Sequence, residues 1–382
     1  MKIGIEVTAA LTQTGGIGRY VREMLSALSL LDSDNKYHLF YASNNHSKSH
    51  IESPKNSFIR RVPVHDIWLA RIWHRMRFPL PVEYIIGNVD VYHSPDFTLP
   101  PTLKSTSTLL TIHDLSFLRH PSSAAPGLRQ YLTVAVQHSV NRATHILADS
   151  ESTKNDLIEL YKVPFEKVSV IYPGVSSDFR PVSNINECEK VRIKYNLGDQ
   201  PFVLSVGTLQ PRKNHSMLIR AFDLALRDSN YNLVLAGGVG WEYDEVFELV
   251  RKLDLNERVL FPGFVEDLDL PALYSSSSIM GFPSIYEGFG LPVIEAMACG
   301  VPVFVSTSSC LPEVVGQSAL LVDPYDLIGM ADTLSDLTFD LKLRENLRSK
   351  GLHRAKLFSW EDAANKLLQI YCTLGNTKNN YY

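Results

Sequence analysis

Cysteine is scarce in this chain of 382 residues. Cys188, Cys299, Cys310 and Cys372 are scattered, without the C-x2-C spacing of a zinc site or the density of a disulfide framework. A reducing, cytoplasmic setting is the simplest that follows. No stretch of 18 consecutive apolar residues occurs, so a membrane span is not expected. Met1–Gly18 carries an acid at Glu6 and no sustained apolar core, which argues against a signal peptide. There is no H-E-x-x-H, no Asp-x-Asp pair suited to a divalent metal and no G-x-S-x-G elbow. The chemistry is therefore expected to need neither a metal nor another cofactor. Solenoid-type repeats are absent. Net charge is −4 and no nucleic-acid reader motif is present, so nucleic acid is not an expected partner.

What is present is a long, apolar-rich chain. With 45% hydrophobic residues it can bury two cores, and strands alternating with helical stretches point to two α/β domains. Residues 1–180 hold 19 Lys and Arg against 16 acids, and residues 181–382 hold 18 against 25, which suggests halves with different partners. Strands are expected at Met1–Val7, Lys36–Ala42, Val89–His93, Ser107–Ile112 and His145–Ala148, then, past a linker near 176–196, at Phe202–Val206, Asn232–Ala236, Val259–Phe261, Ile279–Pro283 and Pro302–Val305. The polar residues following the first set, Ser94, Asp96, His113, Asp114, Asp149 and Ser150, fall where ligands gather in open α/β sheets, beyond the carboxyl ends of strands.

The most informative run is Ile285-Tyr-Glu-Gly-Phe-Gly-Leu-Pro-Val-Ile-Glu295. Gly288 and Gly290 supply a tight turn, and Pro292 sits in the first turn of a helix, where its missing N–H costs nothing. The unpaired N–H groups and dipole of that helix suit a diphosphate. Glu287 before the turn and Glu295 in the helix could accept hydroxyls from a sugar and a ribose. Two solvated acids around an ordinary strand-to-helix turn would share the same spacing. Arg212 and Lys213 follow the strand 202–206 and add two cations at the same sheet edge, although a solvated basic loop would look alike. His113 ends an apolar strand and could bond a sugar hydroxyl, with Asp114 orienting it; a histidine satisfied by backbone is the alternative. Gly15-Gly-Ile-Gly18 lacks the G-x-G-x-x-G spacing of a dinucleotide site but can let backbone approach a phosphate or an acceptor sugar. Residues 58–78 interleave five arginines with Trp68 and Trp73. They read either as an anionic-membrane contact or as a helix packing Trp68, Ile72 and Trp73 into the core.

As an ordered set, Gly15-Gly-Ile-Gly-Arg-Tyr20, His93-Ser-Pro-Asp-Phe97, Thr111-Ile-His-Asp-Leu115, Ala148-Asp-Ser-Glu-Ser152, Val170-Ile-Tyr-Pro-Gly-Val175, Val206-Gly-Thr-Leu-Gln-Pro-Arg-Lys-Asn214, Phe261-Pro-Gly-Phe264, the Glu287–Glu295 run and Phe358-Ser-Trp-Glu361 resemble family 4 of the glycosyltransferases. The resemblance covers nearly the whole chain. It implies a GT-B fold of two Rossmann-like, doubly wound domains facing across a cleft that closes to exclude water: 1–176 for the acceptor, 177–359 for a nucleotide sugar, and a helix 360–382 crossing back to the first. It implies that Arg212 and Lys213 hold the donor diphosphate, Glu287 the transferred sugar and Glu295 the ribose. Gly16, Gly207, Gly288, Phe289, Gly290 and Leu291 would contact sugar and phosphate, and Phe264 and Val265 the base. His113 would lie beside the anomeric carbon, with Gly18, Tyr20, Asp96 and Asp114 on the acceptor side. Retention of configuration is implied, the leaving diphosphate taking the acceptor proton. Within the family the chain looks most like bacterial mannosyltransferases that build O-antigen from GDP-mannose on a lipid-linked glycan. UDP-glucose or another nucleotide-linked hexose is the other donor, and a silent sugar-binding chain or an epimerase the other class of function.

Overall fold

The buried apolar runs become short parallel strands, because each is covered on both faces and its backbone can be satisfied only by neighbouring strands. The computed structural model describes residues 1–44 and 51–376. Contacts divide the chain into two units. The first comprises Met1–Arg119, Pro126–Gly174 and the chain from Ser359 on; the second comprises His120–Ala125 and Val175–Phe358.

In unit 1 the strands are β1 (Lys2–Glu6), β2 (Lys36–Ala42), β3 (Ser57–Val62), β4 (Val91–Ser94), β5 (Ser107–Ile112), β6 (His145–Ala148) and β7 (Val168–Val170), in the order β3-β2-β1-β4-β5-β6-β7. In unit 2 they are β8 (Phe202–Val206), β9 (Asn232–Ala236), β10 (Val259–Gly263), β11 (Ile279–Phe282), β12 (Val303–Ser306) and β13 (Leu320–Val322), in the order β10-β9-β8-β11-β12-β13. All recorded pairings are parallel. Alternate side chains feed opposite layers: Phe202 and Leu204 join one apolar cluster with Val293 and Met297, while Val203 joins the other with Leu218 and Phe222. Each fully buried Leu or Phe contributes about 1.5–3 kcal/mol, so the two layers dominate the stability of the unit.

Three expectations need correction. The stretch 58–78 begins as an edge strand: β3 pairs with β2 over Ser57–Val62, then comes helix Asp66–Ala70 and one wider turn at Arg71–Arg75. Its exposure, with Phe58, Ile59 and Arg60 all on the surface, hid it from a reading based on burial. Trp73 is buried and donates from Nε1 to Leu80 O at 3.0 Å, whereas Trp68 is 56% exposed beneath the Arg71 guanidinium. Second, the helix Gly16–Leu31 starts inside the expected glycine loop. A Cβ at Gly18 would lie 2.0 Å from Gln13 O and 2.8 Å from Ala9 O, so this glycine serves close packing on helix Thr8–Thr12. Third, the segment 120–125 groups with unit 2, where Trp241 Nε1 donates to Ser122 O at 3.3 Å and the His120 ring lies 5.6 Å from Tyr286.

The units change at 174/175 and 358/359, beside the expected 176/177 and 359/360. Helix Trp360–Asn376 belongs to unit 1: Tyr371 Oη lies 2.7 Å from His93 Nδ1, and Ser107 Oγ donates to Leu374 O at 3.0 Å. Residues 377–382, which the expected helix included, lie outside the described residues. Among the described residues no helix is long and apolar enough to cross a membrane.

The glycine assignment is checked by denaturant unfolding. Gly18→Ala should cost about 1–3 kcal/mol through the two carbonyl clashes. Gly16→Ala, where a Cβ meets nothing within 4 Å, should stay within about 0.5 kcal/mol of the parent.

Candidate active site

In unit 2 the strand order reverses between β8 and β11, which are paired neighbours, and open α/β sheets leave a crevice at the carboxyl ends of such a pair. The loop after β8 makes one tight turn at Pro211–Lys213 and ends at Asn214, in the left-handed conformation (φ 59°), just before helix His215–Leu226. Asn214 Nδ2 donates to Pro283 O at 3.2 Å and to Pro324 O at 2.8 Å. Ile285 N donates to Arg212 O at 2.8 Å, and Arg212 Nη1 donates to Tyr286 O. The loops after β8 and β11 are thus joined by backbone and side chain together.

Glu287 sits between both cations. Its Oε2 lies 2.7 Å from Arg212 Nη1 and its Oε1 accepts from Lys213 Nζ at 2.7 Å, all three side chains being nearly buried. Burial pushes the carboxyl pKa up, but Arg212 and Lys213 outweigh it and hold the group at about 2. The carboxylate is ionised at any physiological pH, and the trio keeps one net positive charge. Lys213 Nζ also lies 4.6 Å from the centroid of Phe282, and a Cβ at Gly207 would come 3.0 Å from Lys213 Cε. Gly207, expected to touch a ligand, therefore also makes room for the lysine. Glu287 N donates to Ser309 Oγ at 2.8 Å and Cys310 Sγ lies 3.2 Å from Glu287 O, so a third loop braces the backbone that carries the carboxylate.

Gly288 and Phe289 are buried in the turn, Phe289 against Phe358, with ring centroids 5.4 Å apart. Gly290, at φ 96°, precedes helix Leu291–Ala298 in a conformation costly to any other residue. The first-turn N–H groups of a helix lack intrahelical partners, which suits an anion. Glu295 is buried in that helix and accepts from Tyr274 Oη at 2.9 Å. Phe264 is 53% exposed past the end of β10, whereas the Val265 side chain is part of the core, leaving its backbone for any ligand.

In unit 1 the histidine expected at a strand end is there, with a different partner. His113 Nδ1 lies 2.7 Å from Asp149 Oδ2 and Nε2 lies 2.8 Å from Pro95 O. Both partners can only accept, so both ring nitrogens must carry protons. Burial pulls the imidazole pKa down, but Asp149 more than restores it, to about 9. Asp114, expected to orient the ring, instead accepts from Ser116 N at 2.8 Å and starts helix Ser116–Arg119. The order of strands puts Asp149, at the end of neighbouring β6, in reach, and His-Asp adjacency in sequence hid this. Tyr20 packs edge-on to His113 at 4.9 Å and is almost fully buried; Gly18 is buried too. Of the residues expected on the acceptor side, Asp96 keeps partial exposure, and its Oδ2 lies 3.4 Å from Gln13 Nε2. Burial raises its pKa, and burial together with Asp96 raises that of nearby Glu6 to about 7.

Among the described residues no group of three His, Cys, Asp or Glu could hold a metal ion. The two Asp-x-Asp pairs are committed elsewhere, Asp32 to Asn35 and Tyr37, and Asp269 to Lys194 and Tyr195.

Two family models match: "Glycosyltransferase Family 4" over residues 14–179 and "Glycosyl transferases group 1" over 188–354. The O-antigen chain mannosyltransferase B of Escherichia coli is 33% identical over 93% of this chain and 95% of that protein. The serotype-specific mannosyltransferase WbdA of E. coli is 30% identical over 74% of this chain, a match spanning only 36% of its own length. Among solved structures, sucrose-phosphate synthase of Thermosynechococcus elongatus superposes with a TM-score of 0.78 at 22% identity, covering 98% of this chain and 99% of that one. HepE of Anabaena, in complex with UDP-glucose, gives 0.75 at 18%, covering 98% and 100%. These likenesses put the two units in the GT-B class of folds.

The protonation of His113 is open to nitrogen NMR. At pH 8 both ring nitrogens should carry protons, and Asp149→Asn should bring the titration down by more than one pH unit. Because the folded-state pKa of about 9 exceeds the usual 6.5, this pair stabilises fully below pH 6.5 and loses its contribution as pH rises through 9. A neutral ring at pH 8 would contradict the geometry.

Proposed function

Since this chain belongs to family 4 of the glycosyltransferases, we propose that it is a retaining mannosyltransferase, moving mannose from GDP-mannose to a lipid-linked glycan in the synthesis of a bacterial surface polysaccharide. The observation that carries the reading is the buried Arg212–Glu287–Lys213 trio at the strand-order reversal. An ionised carboxylate suits sugar hydroxyls. Two cations with one net charge to spare, beside a helix start, suit a diphosphate. The choice of mannose is supported by the names of two relatives, the mannosyltransferase B and WbdA.

In this reading Arg212, Lys213 and the N–H groups at the start of Leu291–Ala298 stabilise charge growing on the leaving diphosphate. That oxygen takes the acceptor proton, and the acceptor oxygen attacks from the same face, so configuration is retained. The cations already in place make a divalent metal unnecessary. His113, with both nitrogens engaged, contributes charge and a rigid surface, not a base. Glu295 and its Tyr274 partner take the ribose, Phe264 and the backbone of Val265 the base. In unit 1 the helix start at Gly16 offers backbone N–H groups to a phosphate, and Asp96 with Glu6 accepts from acceptor hydroxyls.

Incubating the protein with GDP-mannose, UDP-glucose and a chelator tests this. GDP-mannose should be bound and slowly hydrolysed despite the chelator, and Lys213→Ala or Glu287→Gln should lower turnover by about a hundredfold with the circular-dichroism melt retained. Near-parental turnover in either variant sinks the site. Preference for UDP-glucose overturns the donor, loss with chelator overturns metal independence, and binding without turnover or an epimerised sugar overturns transfer itself.

Peripheral membrane contact is part of the proposal. Phe58, Ile67, Trp68, Met76 and Phe78 are exposed beside Arg60, Arg71, Arg75 and Arg77, an arrangement that fits an anionic lipid surface. Co-sedimentation with phosphatidylglycerol vesicles should fall about fivefold for each arginine replaced by Gln, at about 1 kcal/mol per charge. Equal binding to neutral vesicles would count against it.

A further inference from the structure

Unit 2 has a second polar recess on the other edge of its sheet. Ser277 and Ser278 immediately precede β11 and Pro302 precedes β12, so a cavity of about 430 Å³ lined by them opens where the strands begin. The donor loops lie where the strands end, a strand's length of about 13 Å away.

Arg344 and Arg348 are one turn apart on helix Leu341–Ala355 and both line this cavity. Arg348 is admitted by Gly300, at φ 74°, where a Cβ would lie 3.2 Å from its Nε. The guanidiniums are weakly committed. Arg348 pairs with Glu345 at 3.6 Å, on the exposed rim, and Arg344 Nη1 reaches Tyr231 Oη at 3.4 Å, near the limit of a hydrogen bond. Facing them are hydroxyls: Ser277 Oγ donates to Tyr274 O at 2.7 Å and keeps its lone pairs, with Ser275 and Ser278 alongside. Val182, Val301 and Pro302 add apolar wall, Glu345 lines the exposed side with the one carboxylate of the recess, and no aromatic ring lines the space.

We propose that this cavity binds a phosphorylated monosaccharide. Two guanidiniums on one helix face match the oxygens of a phosphate monoester, which arginine grips in pairs. The serines match ring hydroxyls and the apolar wall matches ring C–H groups. A nucleotide would lack an aromatic partner for its base, and the volume is ample for one pyranose ring with its phosphate. The site goes beyond the donor reading and does not depend on it. Its floor at Cys299 and Gly300 is the end of the helix that begins at Leu291 and carries Glu295.

The test titrates glucose 6-phosphate, mannose 6-phosphate and inorganic phosphate into the full chain by calorimetry, with GDP saturating so that the other cationic loop is occupied. At least one hexose phosphate should bind saturably and about tenfold tighter than inorganic phosphate. Arg348→Gln should weaken it about tenfold, and Arg344→Gln with Arg348→Gln should abolish it, with GDP affinity and the melting temperature unchanged. Absence of saturable binding, or unchanged binding in the double variant, overturns the site. Equal affinity for inorganic phosphate overturns the sugar. If GDP itself does not bind, that counts against the donor reading alone, and titration without nucleotide still decides the cavity.

Discussion

Glu287 is held between Arg212 and Lys213, all three side chains nearly buried, and most of unit 2 is arranged to make that tolerable. A carboxylate buried without partners would be neutralised or expelled, at a cost of several kcal/mol. Here the attraction wins over desolvation, because two cations lie at 2.7 Å and keep the acid ionised down to about pH 2. The arrangement needs a sheet that brings both loops to one edge, an Asn214 that bonds across to Pro283 and Pro324, a Gly207 that leaves room for the lysine, and a Phe282 ring beneath the ammonium. Parallel pairing of β8 with β11 supplies the first requirement.

Unit 1 solves the opposite problem. Its carboxyl edge gathers Glu6, Asp96 and Asp149, and the buried cation there is a histidine kept protonated by Asp149. An edge rich in acceptors suits a ligand that offers hydroxyl protons, while the net positive trio in unit 2 suits phosphate. These local charges run against the half-chain totals, in which the first 180 residues are net positive and the remainder net negative. Net charge is spread over solvated surface, whereas recognition depends on the few charges that are buried.

The two cationic recesses of unit 2 differ in commitment. At the carboxyl edge both cations already face the Glu287 carboxylate at short range, so the geometry is preorganised. At the far edge Arg344 and Arg348 make only long contacts, and their charge is available to whatever enters. Helix Leu291–Ala298 runs from one recess toward the other, its start at the glycine turn and the residues just past its end, Cys299 and Gly300, lining the far recess.

The sequence by itself determined the parallel α/β class, since short apolar runs alternating with helices leave few other ways to bury backbone on two faces. Five expected strands, among them Lys36–Ala42 and Phe202–Val206, agree residue for residue, and the glycine turn before Leu291 was visible because Gly and Pro have narrow uses. Strand β3 was not visible, since an edge strand with exposed Phe58, Ile59 and Arg60 carries no burial pattern. Nor was the pairing of His113 with Asp149, 36 residues away, or of Glu287 with Lys213 and Arg212, 74 and 75 residues away, because those partners meet only through strand order. The residue types at the site were written in the chain. Which of them share a charge, and hence which are ionised, was decided by the tertiary structure, because Coulomb energy depends on distance and burial and not on position along the sequence.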